Sequence, residues 1–389
     1  MRKKLLVLLL IVAMLVGCVG IFAACSGTGS DDFKIGVIHI GDPKDGGYSA
    51  AHDAGIVEMQ KNLKLKDSQI VRKLNVSDTD ASATKTAIEE CIAAGCKMIY
   101  ATSYGYMDTC DALAKDYPNV IFSHGTGYKS NATNMNNYFG RIYQARFLSG
   151  IAAGLKTQTN KIGYVSAFGD ELAETCSGIS AFAMGVYSVN PNAQIFVKKL
   201  NTWFDVKNEK GFAEDLISTS NCDVIAQHCD TTGPQVAAQE NKVWGVGYNM
   251  DMTEAAPDAH LTATIWNWGV YYTAATKAAI EGNWNSFDRA YYKGIAEGLV
   301  GVSPVTKNCA EGTQEKIDAV TKIMKDGTWD VFTGKEITFK GNLPVLTDRA
   351  LSITTNDGKT VEVAAGDGKL SDGVIKGTMK WFFKNVTVL

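Results

Sequence analysis

The chain of 389 residues carries a formal net charge of −3, with 20% charged, 46% hydrophobic and 10% aromatic residues. That near-neutral balance, with no basic block beyond the first few residues, excludes nucleic acid as an expected partner. Even without its first 24 residues the chain is too long for one ordinary core, so two lobes are expected.

Arg2-Lys3-Lys4 precedes an uncharged apolar run from Leu5 through Ala24. Cations followed by an apolar stretch form the pattern of a secretory signal. The run is also about long enough to span a bilayer as a helix, and cysteine placement decides between the two. Phe22-Ala23-Ala24-Cys25 is followed at once by Ser26-Gly27-Thr28-Gly29-Ser30-Asp31-Asp32, a polar and flexible tether. Small residues before a cysteine at the end of an apolar run resemble a bacterial lipoprotein cleavage box, whose thiol is acylated and becomes the new N-terminus. Leu15-Val16-Gly17-Cys18 fits the box by residue type, but cleavage there leaves Val19 to Ala24 as an exposed apolar stub. Cys25 is therefore the expected lipid attachment, with residues 1–24 as signal peptide and 25–32 as tether. Two acyl chains would hold the protein on the outer face of the cell membrane.

Strand and helix patterns then alternate. Phe33 to Ile40 reads as a strand, Tyr48 to Leu63 as a helix and Gln69 to Leu74 as a strand. Asp80 to Ala94 reads as a helix stopped by Gly95. Lys97 to Ala101 is a strand, Met107 to Lys115 a helix and Asn119 to Phe122 a short strand. The grammar restarts with strand Lys161 to Val165, helix Leu172 to Val189, strand Ala193 to Leu200 and helix Lys207 to Thr219. Strand Asp223 to Ala226, a short helix around Val236 to Gln239 and strand Val243 to Val246 follow. Two rounds of this kind imply two parallel sheets flanked by helices, because parallel strands need a crossover. Later, Ile337 to Phe339, Leu351 to Ile353 and Thr360 to Val363 look antiparallel, with Asn356-Asp357-Gly358-Lys359 as a hairpin turn.

The cysteines beyond Cys25 are odd in number (Cys91, Cys96, Cys110, Cys176, Cys222, Cys229 and Cys309), and no CxxC occurs. They stand in apolar strand and helix contexts, where a buried thiol packs as a small hydrophobe. Free thiols are expected, with Cys91–Cys96 a local bridge only if the Gly95 turn joins them.

In open parallel sheets ligands bind beyond the carboxyl ends of the strands. Those ends deliver Gly41 to Ser49, Thr102 to Asp108, Asn201 to Asp205, Gln227 to Asp230, Tyr248 to Asp251 and Trp266 to Trp268. Nearly every one supplies an aromatic, a carboxylate or an amide, the composition of a cleft that sandwiches a flat ring and reads its edge. Each piece also has a plainer role: a strand-end aromatic packs the rim, and Asp45, Asp205 and Asp251 suit helix N-caps. His228-Cys229-Asp230 matches no structural zinc spacing. The glycines from Gly41 to Gly47 are neither GxGxxG nor a Walker loop, and GxSxG and HExxH are absent. No metal, no cofactor and no catalysis are expected. A nucleoside hydrolase would have only His228-Cys229-Asp230 as local candidate.

Together these pieces resemble the basic membrane protein family of substrate-binding lipoproteins, which includes purine nucleoside receptors of ABC importers. The likeness runs over essentially the whole mature chain. Members look like Asp-x-x-Phe-Asn after the first strand, where Asp45-Gly46-Gly47-Tyr48-Ser49 stands here. By that resemblance Tyr48 stacks on one face of the base, and Trp203, two residues before Asp205, on the other. A family carboxylate after the third strand matches Asp108 loosely, beside Tyr106. Nucleoside-binding members carry an aspartate where Asn249 stands, ahead of Asp251, and a sugar-holding lysine where Trp266 stands. Trp and Asn remove much of a ribose clamp, and the indole would fill the sugar's space. A free nucleobase is therefore implied, and the Tyr104 to Asp108, His124 to Lys129 and Trp266 to Gly269 stretches resemble an adenine-binding subgroup.

The resemblance implies an α/β type I periplasmic-binding-protein fold: two Rossmann-like lobes with parallel sheets, joined by a hinge with the ligand between them. Lobe 1 is expected over 33–156 with about 264–302, lobe 2 over 157–263 with about 303–344, and a C-terminal extension over 345–389. The expected partners are a purine-like molecule, the permease and ATPase subunits of an ABC importer, and the membrane through the lipid anchor. A purine nucleoside receptor, or a ligand-sensing lipoprotein feeding a signalling partner, are the alternatives.

Overall fold

A chain that alternates β-branched strands with Ala-rich helices must cross over between successive strands, which makes the strands parallel. The computed structural model, which describes residues 32–389, builds two such sheets. Residues 1–31, with Cys18 and Cys25, lie outside the described residues. The first sheet holds β1 (Lys34–Ile38), β2 (Ile70–Lys73), β3 (Cys96–Ala101), β4 (Ile121–Gly125), β5 (Met135–Gly140) and β11 (Ala290–Lys293). Its order is β11-β5-β4-β3-β1-β2, with every pairing parallel. The second holds β6 (Lys161–Ser166), β7 (Gln194–Lys199), β8 (Val224–His228), β9 (Trp244–Asn249), β10 (His260–Trp266), β12 (Val300–Val302) and β17 (Val386–Val388). Its order is β12-β10-β9-β8-β6-β7-β17, and β12 alone runs antiparallel, against β10.

The helices are α1 (Tyr48–Leu63), α2 (Ala81–Ala93), α3 (Met107–Asp116), α4 (Ile142–Lys156), α5 (Ala173–Val189), α6 (Val206–Ser220), α7 (Gly233–Glu240), α8 (Trp268–Ile280), α9 (Thr313–Lys325) and α10 (Asp372–Gly377). Asp80 caps α2 through the N–H groups of Ser82 and Ala83, and Gly95, at φ +91°, turns the chain into β3. That turn brings the Cys91 and Cys96 thiols into hydrogen-bonding reach. All cysteines from Cys91 to Cys309 are free.

The chain passes between the sheets at three places: from β5 into α4, from β10 into α8, and from β11 to β12. The first crossing leads into a helix in which every residue from Ile142 to Gly154 is buried. Glycine makes that possible: a Cβ on Gly150 would stand 2.2 Å from the Phe182 carbonyl, and one on Gly185 2.1 Å from that of Phe147. The backbones of α4 and α5 are thus in direct contact.

The C-terminal segment folds as hairpins β13 (Lys335–Lys340) with β14 (Leu343–Asp348) and β15 (Leu351–Thr354) with β16 (Thr360–Val363). It then crosses α5, where Cys176 Sγ and Ser180 Oγ donate to the Trp381 carbonyl at 3.0 and 2.9 Å. Its last strand, β17, extends the second sheet beside β7. No described helix is long and apolar enough to cross a membrane.

Candidate ligand-binding site

The start of α1 is fixed from the sequence that precedes it. Asp45 accepts the N–H groups of Gly47 (2.8 Å), Ser49 (2.9 Å) and Ala50 (3.0 Å), while Ser49 Oγ takes the Gly41 N–H at 3.1 Å. Tyr48 is thereby held at the first turn, its hydroxyl donating to the Thr102 carbonyl beyond β3. Its ring meets His52 edge-on at 4.4 Å. His52 stacks on Trp268, and Trp268 on Trp266, each at 4.4 Å. An aromatic tier therefore runs from α1 to the crossing between β10 and α8.

Gly47 touches the second sheet's side of the molecule. A Cβ at this position would stand 1.8 Å from the Asp230 carbonyl oxygen, so the two lobes meet here at a contact only glycine permits. On the far side of this seam Trp203 lies edge-on to Phe168 and tilted towards His228, both at 5.7 Å. Its carbonyl accepts the Asp230 N–H at 2.9 Å. Asp230 Oδ1 accepts from Asn249 Nδ2 at 2.8 Å. Asn249 adopts φ +70°, a left-handed conformation that Asn tolerates better than most residues. Tyr248, beside it, packs against His228 at 4.8 Å and accepts from Trp266 Nε1 at 3.3 Å.

Beneath Tyr248 lies Arg146 of α4, its guanidinium carbon 4.0 Å from the ring centroid and Nη1 donating to the Gln227 carbonyl at 2.6 Å. Glu174, in the first turn of α5, comes within 3.8 Å of His228. Burial pushes the Asp230 carboxyl well above the usual range; Asn249 opposes this, and the Glu209, Asp45 and Glu174 carboxyls add to it. Although 24% of the Glu174 side chain is reachable, the surrounding protein lifts its carboxyl to about 7 against the pull of Arg146. His228 is held neutral by burial and then by Arg146.

Several buried polar atoms here have no protein partner: Arg146 Nε and Nη2, His228 Nε2, Asn249 Oδ1 and Trp268 Nε1. Buried polar groups are nearly always hydrogen-bonded, and these orphaned atoms lie along the seam, as others lie elsewhere in the described residues. Cys229 is not among them, since its thiol faces the Val165 carbonyl at 3.7 Å and burial raises it far from reactivity. Among the described residues no group of His, Cys, Asp and Glu could hold a metal ion.

Of the residues singled out in the sequence, Tyr48, Trp203, Asn249 and Trp266 come together at the seam. Asp45 and Ser49 hold the loop that presents Tyr48. Asp205 caps α6 through the Asn208 N–H at 3.0 Å, and Asp251 takes the Thr253 N–H at 2.9 Å. Tyr106 is fully buried, its hydroxyl donating to the Val76 carbonyl at 2.6 Å. Asp108 is 82% exposed and paired with Lys129. Sequence reasoning missed Arg146, Glu174, His52 and Phe168. Arg146 did carry a signal, a lone cation inside a Gly/Ala-rich apolar run. Glu174 carried none, because an acid in a helix's first turn is ordinary.

Comparisons with known proteins place the chain in a family. Residues 33–328 match the Bmp family model, described as ABC transporter substrate-binding protein PnrA-like. A purine-binding protein of Brucella abortus (strain 2308) is 34% identical over 306 residues, covering 78% of this chain and 84% of the relative. A putative ABC transporter glucose-binding protein of Haloferax volcanii is 32% identical over 297 residues, 76% of this chain and 73% of that one. Among solved structures, an ABC transporter solute-binding protein from Conexibacter woesei superposes with TM-score 0.61 at 18% identity, covering 80% of this chain and 99% of that one. The fold is thus that of the type I periplasmic solute-binding proteins, which bind without catalysing. The chain belongs to the PnrA-like (Bmp) family of ABC transporter substrate-binding proteins.

Proposed function

We propose that the protein is a lipid-anchored receptor of an ABC importer that captures a purine nucleobase, adenine-like, in the seam between its lobes. Tyr48 from the first lobe and Trp203 from the second would cover the two faces of the ring. Asn249 and Asp230 would read its polar edge, and Trp266 would close the side where a nucleoside carries its sugar. The observation that carries this reading is the coincidence of stacking aromatics with orphaned buried polar atoms at one contact between the lobes. The purine-binding relative from Brucella supports it. Base stacking contributes roughly 1–3 kcal/mol per aromatic, so two faces with edge hydrogen bonds reach a Kd of order micromolar or tighter. Capture would close the lobes about the three crossings, as hinged binding proteins do, and Cys25 would carry the anchor.

A sugar is the second reading, favoured by the Haloferax relative's description, because aromatic walls also pack against pyranose faces. Calorimetry on the detergent-solubilised full-length protein separates them. Adenine is expected to bind at micromolar Kd or tighter, adenosine more weakly and glucose undetectably. Glucose binding without purine binding would overturn the proposal.

A further inference from the structure

Arg146 is 1% exposed, and its one hydrogen bond uses Nη1. The Nε/Nη2 edge of the guanidinium, the fork that grips two acceptors side by side, has no partner among the described residues. The same chain shows what that fork does when protein fills it: Arg141 Nε and Nη2 donate to the two oxygens of Asp372 at 3.0 and 2.6 Å. Glu174, the carboxyl that acts on Arg146 electrostatically, makes its close approach, 3.8 Å, to the neutral His228 instead. His228 Nε2 is itself orphaned.

The seam therefore contains two polar sets, each with at least one orphaned atom. One is Asp230 with Asn249, from the ends of β8 and β9. The other is Arg146, Glu174 and His228, from α4, α5 and the end of β8. Trp203 joins the two sets: its ring lies 5.7 Å from His228 and its carbonyl accepts the Asp230 N–H at 2.9 Å. A purine nucleoside keeps its N1 and N7 edges but carries a sugar at N9. A free base adds a further edge, N3 beside N9–H, that sets an acceptor next to a donor. A guanidinium fork beside a carboxyl is its complement.

Building on the purine reading above, we propose that Arg146 and Glu174 form a second polar subsite for the N3/N9–H edge of a free nucleobase. The guanidinium donates to N3 and Glu174 accepts the N9 hydrogen, so the site rejects a base substituted at N9. A site built to hydrogen-bond an N–H leaves its own buried groups unpaired when the analogue lacks it. Rejection then comes from Glu174 as well as from the bulk of Trp266.

The test is calorimetry of the detergent-solubilised full-length protein with adenine and 9-methyladenine, whose single methyl removes the donor with little added bulk. Adenine should bind at least about 100-fold tighter than 9-methyladenine, and Glu174→Ala should narrow the ratio to about threefold by removing the acceptor and making room. Arg146→Met should weaken adenine by at least about tenfold while changing ligand-free melting little, since removal of a buried charge offsets the lost bond to Gln227 and the lost contact with Tyr248. Equal binding of the two bases to the wild-type protein would sink the subsite and leave the purine reading standing. Binding of neither base, with glucose bound, would sink both.

Discussion

On the first lobe's side of the seam the tyrosine hydroxyls are satisfied by protein. Tyr100 bonds Thr276 at 2.7 Å, Tyr138 bonds Tyr272 at 2.9 Å, and Tyr271 bonds Ser123 at 2.6 Å. His52 Nδ1 closes the same network on Tyr272 at 2.6 Å, behind the Tyr48 ring. Across the seam, Arg146, His228 and Asn249 are as deeply buried and keep orphaned atoms. The first wall is largely satisfied, His52 Nε2 and Trp268 Nε1 excepted, and would offer a ring something to lie on. On the proposed reading the second is completed when a ligand supplies donors and acceptors. Affinity would then come chiefly from the first wall and from Trp203, and selection from the second.

The largest effect should come from preventing the walls from meeting. Gly47→Val would place a side chain where the Asp230 carbonyl already lies. Overpacking of about 3 kcal/mol is enough to weaken adenine by about 100-fold. The ligand-free melting temperature should change little if the lobes simply stay apart. An unchanged Kd would show that closure does not involve this contact. Next, Trp203→Ala should raise the Kd at least about tenfold through loss of one stacking face. Tyr48→Phe, which keeps the ring and loses only the bond to Thr102, should cost a few-fold at most. If the two substitutions rank the other way, the division of labour between the walls is reversed.

Glu174 makes the comparison pH-dependent. Its folded carboxyl sits near 7 against an ordinary 4.5, so folding favours the protonated acid. Below about pH 4.5 the group is neutral in both states and contributes nothing. As pH rises from there through 7 it increasingly destabilises the ligand-free fold. Glu174→Gln should therefore match the wild type in denaturant melts near pH 4.5 and exceed it increasingly up to about pH 7.5. Parallel curves across that range would mean the carboxyl is solvated. The smallest effects belong to residues outside the seam. Tyr106→Phe should lower stability by about 1 kcal/mol through its buried hydroxyl with adenine binding unchanged. Asp108→Ala should move neither by a measurable amount, because it breaks only an exposed ion pair.

Much of this architecture is legible in the residues. The limits of α1, the Asp80 cap, the Gly95 stop and the Asn356 to Lys359 hairpin all rest on local chemistry. β5 is harder, because Asn136 and Asn137 look like loop residues. Its buried Asn136 amide is satisfied only by distant partners, Tyr271 Oη at 3.0 Å and the Asp288 carbonyl at 3.1 Å. β17 is three residues long and exists through its pairing with β7, which no local pattern announces. At the site, aromatic residues at strand ends could be found because sheet topology delivers them. Carboxylates could not be sorted in the same way. Asp205 and Asp251 tie up their own loops while Asp230 turns inward, and that choice is made by tertiary packing. Arg146 and Glu174 come from helices, so a search of strand ends passes them by.

The most direct test of the central claim is mass spectrometry of the small molecule released by heat from the protein purified from its native membrane. A free purine base, adenine foremost, is the predicted result. A sugar, or an intact nucleoside, would contradict the account: the first would remove the purine, and the second would remove the closed sugar side and the Arg146–Glu174 subsite.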